Sequence, residues 1–280
     1  MDTTIDIACL QTRTMPDFDS ALGEALPLAD AAVQAGAEML FLPEYCGGLK
    51  SKGAALDPPA TPENDHPFLK RFQEFAADKG VWVMLGSIAV KHGHKLVNRG
   101  FMLDPNGRIH GRYDKIHMFD IQLSDTEVYR ESDTISAGDQ SVIHETPLAN
   151  IGHTICYDLR FPHLYRNLAQ TGANILTAPA AFTKKTGEAH WHILNRARAI
   201  ENGCYMISPC AIGAIDGGGE AYGHSLVVNP WGEVIADGGQ LPGVVQARID
   251  MAKVTEARGR IPSLTHDRTY SFSDQSRRTA

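Results

Sequence analysis

Cys156 is placed to act as a nucleophile. Ile151 to Ile155 reads as a strand that delivers it, and a helix begins shortly after Phe161-Pro162. A cysteine at a strand-to-helix turn is partly exposed, and nearby N–H groups and the helix dipole favour its thiolate. Cys9, Cys204 and Cys210 lie inside apolar strand runs and read as small buried residues. Cys46, in a loop beside Glu44, is the rival thiol. The five cysteines contain no Cys-x-x-Cys pair, which excludes a zinc ribbon or a thioredoxin motif. There is no Gly-x-Ser-x-Gly elbow, no His-Glu-x-x-His, and no Walker or dinucleotide-binding glycine motif after a strand. His190 and His192 fall two apart on a predicted helix and do not share a face. His92-Gly93-His94 reads as a polar hairpin loop, and Gly217-Gly218-Gly219 as a flexible one. Nothing in the sequence calls for a metal ion or a cofactor.

The elements that must hold these groups follow from hydrophobic periodicity. Strands are predicted at Ile5–Leu10, 38–42, Val81–Val90, 151–155, 175–178, 204–211 and 225–236, the last turning at Asn229-Pro230-Trp231-Gly232. Phe101 to Tyr113 reads as a hairpin turning at Pro105-Asn106-Gly107. Helices are predicted over 17–35, with Pro27 a kink or a new start, and over 68–80, 161–170 and 187–202. The last of these would turn Trp191, Leu194, Ala197 and Ile200 to one side. Two stretches repeat. Ala35 to Glu44 resembles Thr171 to Ala180, and Gly100 to Ile109 resembles Ser225 to Val234. Two matched pairs in the same order imply two similar α/β halves. Packing their sheets together with helices outside gives a four-layer αββα sandwich.

Three ordered motifs resemble the nitrilase (carbon–nitrogen hydrolase) superfamily, and within it the Nit-type amidases. They are Phe41-Leu42-Pro43-Glu44, Gly111 to Phe119 around Lys115, and Cys156-Tyr157-Asp158-Leu159-Arg160-Phe161-Pro162. Arg130-Glu131-Ser132, Ala189-His190-Trp191 and Tyr222-Gly223-His224-Ser225 extend the likeness along nearly the whole chain. The resemblance implies the αββα fold, assembly as a homodimer or higher oligomer, and hydrolysis of an amide through a cysteine thioester. It makes Cys156 the nucleophile and Glu44 the general base. Lys115 and the Tyr157 N–H stabilise the oxyanion, and Glu131 orients Lys115 and the substrate amide. Taken singly, Glu44, Lys115 and Glu131 would read as ordinary solvated or salt-bridged charges; together they do not.

The likeness also bears on substrate. Tyr157-Asp158 stands where nitrile-hydrolysing members carry Trp-Glu. Arg160 matches an arginine that holds a substrate carboxylate, or it pairs structurally with Asp158. Phe182 is a pocket wall or a core residue. These features imply a small carboxylate-bearing monoamide, foremost deaminated glutathione. The alternatives are 2-oxoglutaramate or 2-oxosuccinamate, then a carbamoyl amide; a non-catalytic scaffold subunit is the reading from another class. His163 and Asp114 depart from the common pattern, which has glutamate and arginine there.

The chain has 280 residues, is 43% hydrophobic and carries a formal charge of −7. That balance suits a soluble protein without general affinity for nucleic acid. Arg277-Arg278 reads as a solvated pair. No stretch reaches the ~18 apolar residues of a membrane span, and the N-terminus lacks signal-peptide character. The expectation is a cytoplasmic enzyme with one catalytic domain over residues 1–262. A tail at 263–280 would lie at a subunit interface or be disordered.

Overall fold

Short apolar runs buried on both faces, Met39–Phe41 and Ile175–Thr177, form parallel strands at the centres of two sheets. Runs this apolar suit a strand covered on both sides. The computed structural model describes residues 3–53, 55–125 and 128–271. The first sheet orders its strands Ile135–Ser136, Lys95–Leu103, Trp82–His92, Met39–Phe41, Thr4–Gln11 and Gly243–Asp250, with Ile109–Asp114 also paired to Lys95–Leu103. The second orders Val142–Glu145, Asn150–His153, Ile175–Thr177, Tyr205–Ser208, Leu226–Val228 and Val234–Asp237.

Apart from Ile135–Ser136, which pairs parallel with Lys95–Leu103 in the first sheet alone, the two orders are the same pattern. Each has an antiparallel edge strand, three parallel strands, then two antiparallel ones. Ile5, Ile7, Met39, Phe41, Met84 and Met102 of the first sheet share a core with Ile151, Ile175, Tyr205, Ile207 and Val227 of the second. Helices Phe18–Gln34 and Pro67–Lys79 cover the outside of the first sheet, and Pro162–Gln170 and Lys184–Asn202 the outside of the second. The αββα sandwich expected from the repeats is the observed architecture.

Local chemistry explains the helix ends. Asp17 caps the first helix by accepting from the Ser20 N–H at 2.9 Å. That helix runs through Pro27 as one element, so Pro27 does not start a new one. Gly80 closes Pro67–Lys79 in the left-handed conformation. One helix face differs from expectation. Lys184–Asn202 buries Trp191, Asn195, Arg198, Ala199 and Asn202, while Ile200 is turned to solvent. Arg198 and Asn195 are buried because Leu159 O and Ser208 Oγ supply their partners.

Where the sheets face each other, polar groups also meet. His144 Nε2 and His153 Nδ1 are hydrogen-bonded at 2.9 Å, and His153 Nε2 lies 3.3 Å from Gly86 O. Both rings are buried. Gly111 and Gly100 lie opposite them, because a Cβ at either position would collide with His144 or His153. The tail begins docked. Arg166 donates to Ser263 O at 2.7 Å and Gln170 to Leu264 O at 2.9 Å. The rest of the expected tail at 272–280, with Arg277 and Arg278, lies outside the described residues.

Candidate active site

The site is assembled from the loops at the ends of the central strands. Met39–Phe41 leads into Leu42-Pro43-Glu44, Ile109–Asp114 into Lys115, and Asn150–His153 into Cys156, which opens the short turn Cys156–Arg160. Glu131 opens another such turn, Glu131–Asp133. All four side chains are buried. Lys115 Nζ donates to Glu44 Oε1 at 2.9 Å and to the two Glu131 oxygens at 3.0 and 2.8 Å. Burying one cation and two carboxylates is costly unless each is paired, and here each pairs within the group.

The carboxylates are fixed from several sides. Glu44 Oε2 accepts the Ala181 N–H at 2.9 Å, and Oε1 accepts Asn98 Nδ2 at 2.9 Å. Glu131 accepts the Phe119 N–H at 2.7 Å and the Tyr45 hydroxyl at 3.1 Å. The turn carrying Cys156 is pinned by buried Asp158. Asp158 accepts from Tyr113 Oη at 2.7 Å, the His117 N–H at 3.0 Å and the Ile155 N–H at 2.9 Å. Cys156 itself has φ 49° and Tyr45, next to Glu44, has φ 52°. Left-handed backbone at a non-glycine residue costs on the order of 1–3 kcal/mol. The loops that carry Glu44 and Cys156 both hold that strain.

Electrostatics sets the resting protonation. Burial on its own would lower the Lys115 pKa, but the Glu131 and Glu44 carboxylates outweigh it and hold Lys115 well above the usual lysine value. Burial pushes the Cys156 thiol well up, and the Glu44 charge and hydrogen bond add to that; Lys115 opposes and is outweighed. Of the two states open to Cys156, a preformed thiolate or a thiol deprotonated in step with attack, deep burial beside a carboxylate favours the thiol at rest, outweighing Lys115. The rival, Cys46, is also pushed up by burial and donates its thiol to Ser87 O, away from the carboxylates. Burial raises Cys204 to about 11 and Cys210 to about 12, as fits structural thiols.

A cleft of about 540 Å³, measured to its open mouth, has Glu44, Lys115, Glu131 and Cys156 in its lining. Tyr157 and Phe182 both line it. Phe182 also packs on Trp191 with ring centroids 5.0 Å apart, so it is wall and core at once. Arg160 does not pair with Asp158, whose oxygens are taken by Tyr113, His117 and Ile155. It lies over the Tyr157 and Phe182 rings at 5.8 and 5.3 Å and contacts His190 Nδ1 at 3.3 Å, behind the lining. Asp114, one of the departures from the family pattern, is clasped by Arg99 at 2.7 and 2.8 Å. His163 sits edge-on to His117 and Phe161. Sequence reasoning missed Asn98, Tyr45 and Asp158. A lone Asn inside an apolar strand, and a tyrosine directly after Glu44, were the available signals.

Residues 6–259 match the carbon–nitrogen hydrolase family description. The chain belongs to the carbon–nitrogen hydrolase family. This hydrolase is 38% identical over 270 residues to a deaminated glutathione amidase of Synechocystis sp., spanning 92% of this chain and 96% of that one. It is 34% identical over 271 residues to omega-amidase NIT2 of Homo sapiens, spanning 97% and 98%. Its fold superposes on Saccharomyces cerevisiae Nit3, a member of branch 10 of the nitrilase superfamily, with a TM-score of 0.82 at 26% identity; 96% of this chain and 97% of that one are covered. It is an amide-hydrolysing enzyme, as the family and these relatives establish.

Proposed function

We propose that Cys156, Glu44 and Lys115 hydrolyse the amide through a thioester, with Glu131 holding Lys115. The supporting observation is the Glu44–Lys115–Glu131 chain beside a protonated Cys156 on the floor of the cleft. In this reading Glu44 takes the thiol proton as sulfur attacks the carbonyl carbon. It passes the proton to the departing ammonia, then activates water to cleave the thioester. Lys115 Nζ and the Tyr157 N–H receive the oxyanion. The neighbouring N–H groups of Cys156 and Asp158 are engaged by Pro179 O at 2.9 Å and Ile155 O at 3.0 Å. That commitment favours Tyr157 as the donor.

The substrate we infer is a small carboxylate-bearing monoamide, foremost deaminated glutathione. The named relatives include deaminated glutathione amidases and omega-amidases. Leu49, Leu56, Phe119, Tyr129 and Ile215 give the cleft an apolar lining, with hydroxyls from Ser51, Thr183 and Thr186. Arg160, stacked behind two wall residues, is the cation available to a substrate carboxylate once a ring swings aside. Ammonia release from deaminated glutathione and from 2-oxoglutaramate, compared as kcat/KM, tests this. A preference of ~100-fold, or roughly 2.7 kcal/mol, for the first is expected; an equal preference, or one for the second, would reject the assignment.

We further propose that this hydrolase is a cytoplasmic homodimer with one catalytic domain over residues 1–262. Ile200, Trp231 and Ile261 expose 53%, 57% and 56% of their surface around one shallow depression, with Ile193 two turns up the same helix. Exposed apolar side chains grouped this way suit burial against a second copy. Sedimentation of the wild type and of Trp231→Glu tests it, the variant being expected to sediment as a monomer. Among the described residues no helix is long and apolar enough to cross a membrane.

A further inference from the structure

We propose that His192, His224 and Asp237 form a binding site for a divalent transition-metal ion of the zinc type. The three come from different elements. His192 lies on the helix Lys184–Asn202, His224 precedes the strand Leu226–Val228, and Asp237 ends the strand Val234–Asp237. One ligand atom from each lies within 4.8 Å of the others. His192 Nε2 is 3.0 Å from Asp237 Oδ2, and His224 Nδ1 is 2.9 Å from Oδ1 and 3.2 Å from Oδ2.

Those separations are close to what a metal needs. Zinc–nitrogen and zinc–oxygen bonds of roughly 2.0–2.1 Å in a tetrahedron put ligand atoms about 3.3–3.4 Å apart. An ion entering between the three groups would take the place of the N–H protons that now face the carboxylate, each neutral imidazole carrying its proton on the other ring nitrogen instead, and the imidazole–carboxylate distances would widen by a few tenths of an ångström. Two imidazoles and one carboxylate suit zinc, nickel or copper, and are a poor match for the all-oxygen shells of calcium and magnesium.

The groups are also held in place, as ligands generally are by a surrounding layer of contacts. Tyr222 stacks on the His224 ring, with centroids 4.6 Å apart and planes at 23°. Gly239 donates its N–H to Asp237 Oδ1 at 2.8 Å, and its carbonyl accepts the His224 N–H at 2.8 Å. His224 adopts φ 53°, and its carbonyl accepts the Trp191 indole N–H at 2.7 Å. The backbone at His224 is thus kept in an unfavourable region by contacts on both sides, and the ring is aimed at Asp237 as a result. The side chains are 18% to 35% exposed, so ions can enter and a water or small anion can complete the coordination. Tyr222 donates its N–H to the carbonyl of Phe182 at 2.8 Å, which ties the site to the wall of the cysteine cleft. His190, two residues from His192, turns instead toward Arg160 and takes no part.

The test is a calorimetric titration of chelator-treated protein with zinc near neutral pH, repeated on His192→Gln, His224→Gln and Asp237→Asn. The expected result is about one zinc per chain in the wild type, weakened at least ~100-fold in each variant. Cobalt substitution should give a visible spectrum without a thiolate charge-transfer band, which separates this site from binding at a cysteine. His192 lies on the helix surface, so His192→Gln reports even where His224→Gln fails to fold. The proposal is overturned if the wild type binds no zinc, if the variants bind as tightly, or if cobalt shows thiolate ligation.

Discussion

The strand pairs Lys95–Leu103/Ile109–Asp114 and Leu226–Val228/Val234–Asp237 occupy the same place in the two sheets. Their registers correspond. Phe101 pairs with Arg112, and Leu226 pairs with Asp237. Through the matched turns at Gly107 and Gly232, Arg99 therefore corresponds to His224 and Arg112 to Asp237. In the first half both arginines grip Glu63, at 2.9 and 2.7 Å, and Arg99 also clasps Asp114. A guanidinium keeps its proton at any ordinary pH, so that corner is a permanent ionic clamp. In the second half His224 and Asp237 take those two places, joined by His192 from the neighbouring helix, and together they offer ligands to a metal. The loops at Pro43 and Pro179 differ in the same way. Glu44 follows Pro43, while Ala180 stands in the matched place after Pro179. The neighbouring Ala181 contributes its N–H to Glu44. A duplicated backbone is used once for side-chain chemistry and once for support.

Erasing the difference between the loops should have the largest effect. Glu44→Ala is expected to lower kcat for ammonia release by about 10²–10⁴-fold, the range for loss of a general base. An unchanged rate would remove Glu44 from the mechanism. Lys115→Met leaves two buried carboxylates without a countercharge, and denaturant titration should show a loss of about 3–5 kcal/mol. Gly111→Ala drives a methyl into the His144 ring, for which we expect a loss of about 1–3 kcal/mol by overpacking.

The His144–His153 pair, carried by the second sheet and packed against Gly86, Gly100 and Gly111, gives a pH signature. Burial lowers His144 to about 4, and burial followed by the charge of His144 lowers His153 well below its usual value. Both remain neutral in the fold but titrate near 6.5 once unfolded. The unfolded chain therefore binds protons first. Stability should be complete above about pH 6.5 and fall by roughly 1.4 kcal/mol per pH unit per histidine below it, levelling off near pH 4 for His144. Urea midpoints across that range, with His144→Gln showing a shallower slope, would check this. The smallest effect should separate the two arginines. Arg99→Gln should cost about 1–2 kcal/mol, since its ion pairs are largely shielded, and Arg112→Gln, nearly half exposed, about 0.5 kcal/mol.

The strand centres and the order of layers were legible in the sequence. Met39-Leu40-Phe41 and Ile175-Leu176-Thr177 are too apolar to lie anywhere but in a covered sheet. The repeated turns at Gly107 and Gly232 announced the second half. Glu44, Lys115, Glu131 and Cys156 were legible as a set, and the structure brings them together. The resting state of Cys156 was not, because its pKa depends on burial and on a carboxylate more than a hundred residues away. The exposed face of Lys184–Asn202 was misread because hydrophobic periodicity assigns Ile200 inward, whereas Arg198 and Asn195 find buried partners that no local pattern reveals. The strand Gly243–Asp250 went unread for a related reason. Gln246, Arg248 and Asp250 interrupt its apolar run, as suits a strand at the border of a sheet.

That strand has a consequence for how the molecule can be cut. The equivalent border strand of the second sheet, Val142–Glu145, precedes its own half along the chain, whereas Gly243–Asp250 reaches the first sheet from the far end of the sequence. It acts as a clasp, laying eight residues along Thr4–Gln11. The first half is not a contiguous fragment as a result, while the strands of the second all lie within residues 142–237. Shortening the chain to end before Gly243 would bare the whole Thr4–Gln11 edge, a row of unsatisfied N–H and C=O groups that invites strand-to-strand aggregation.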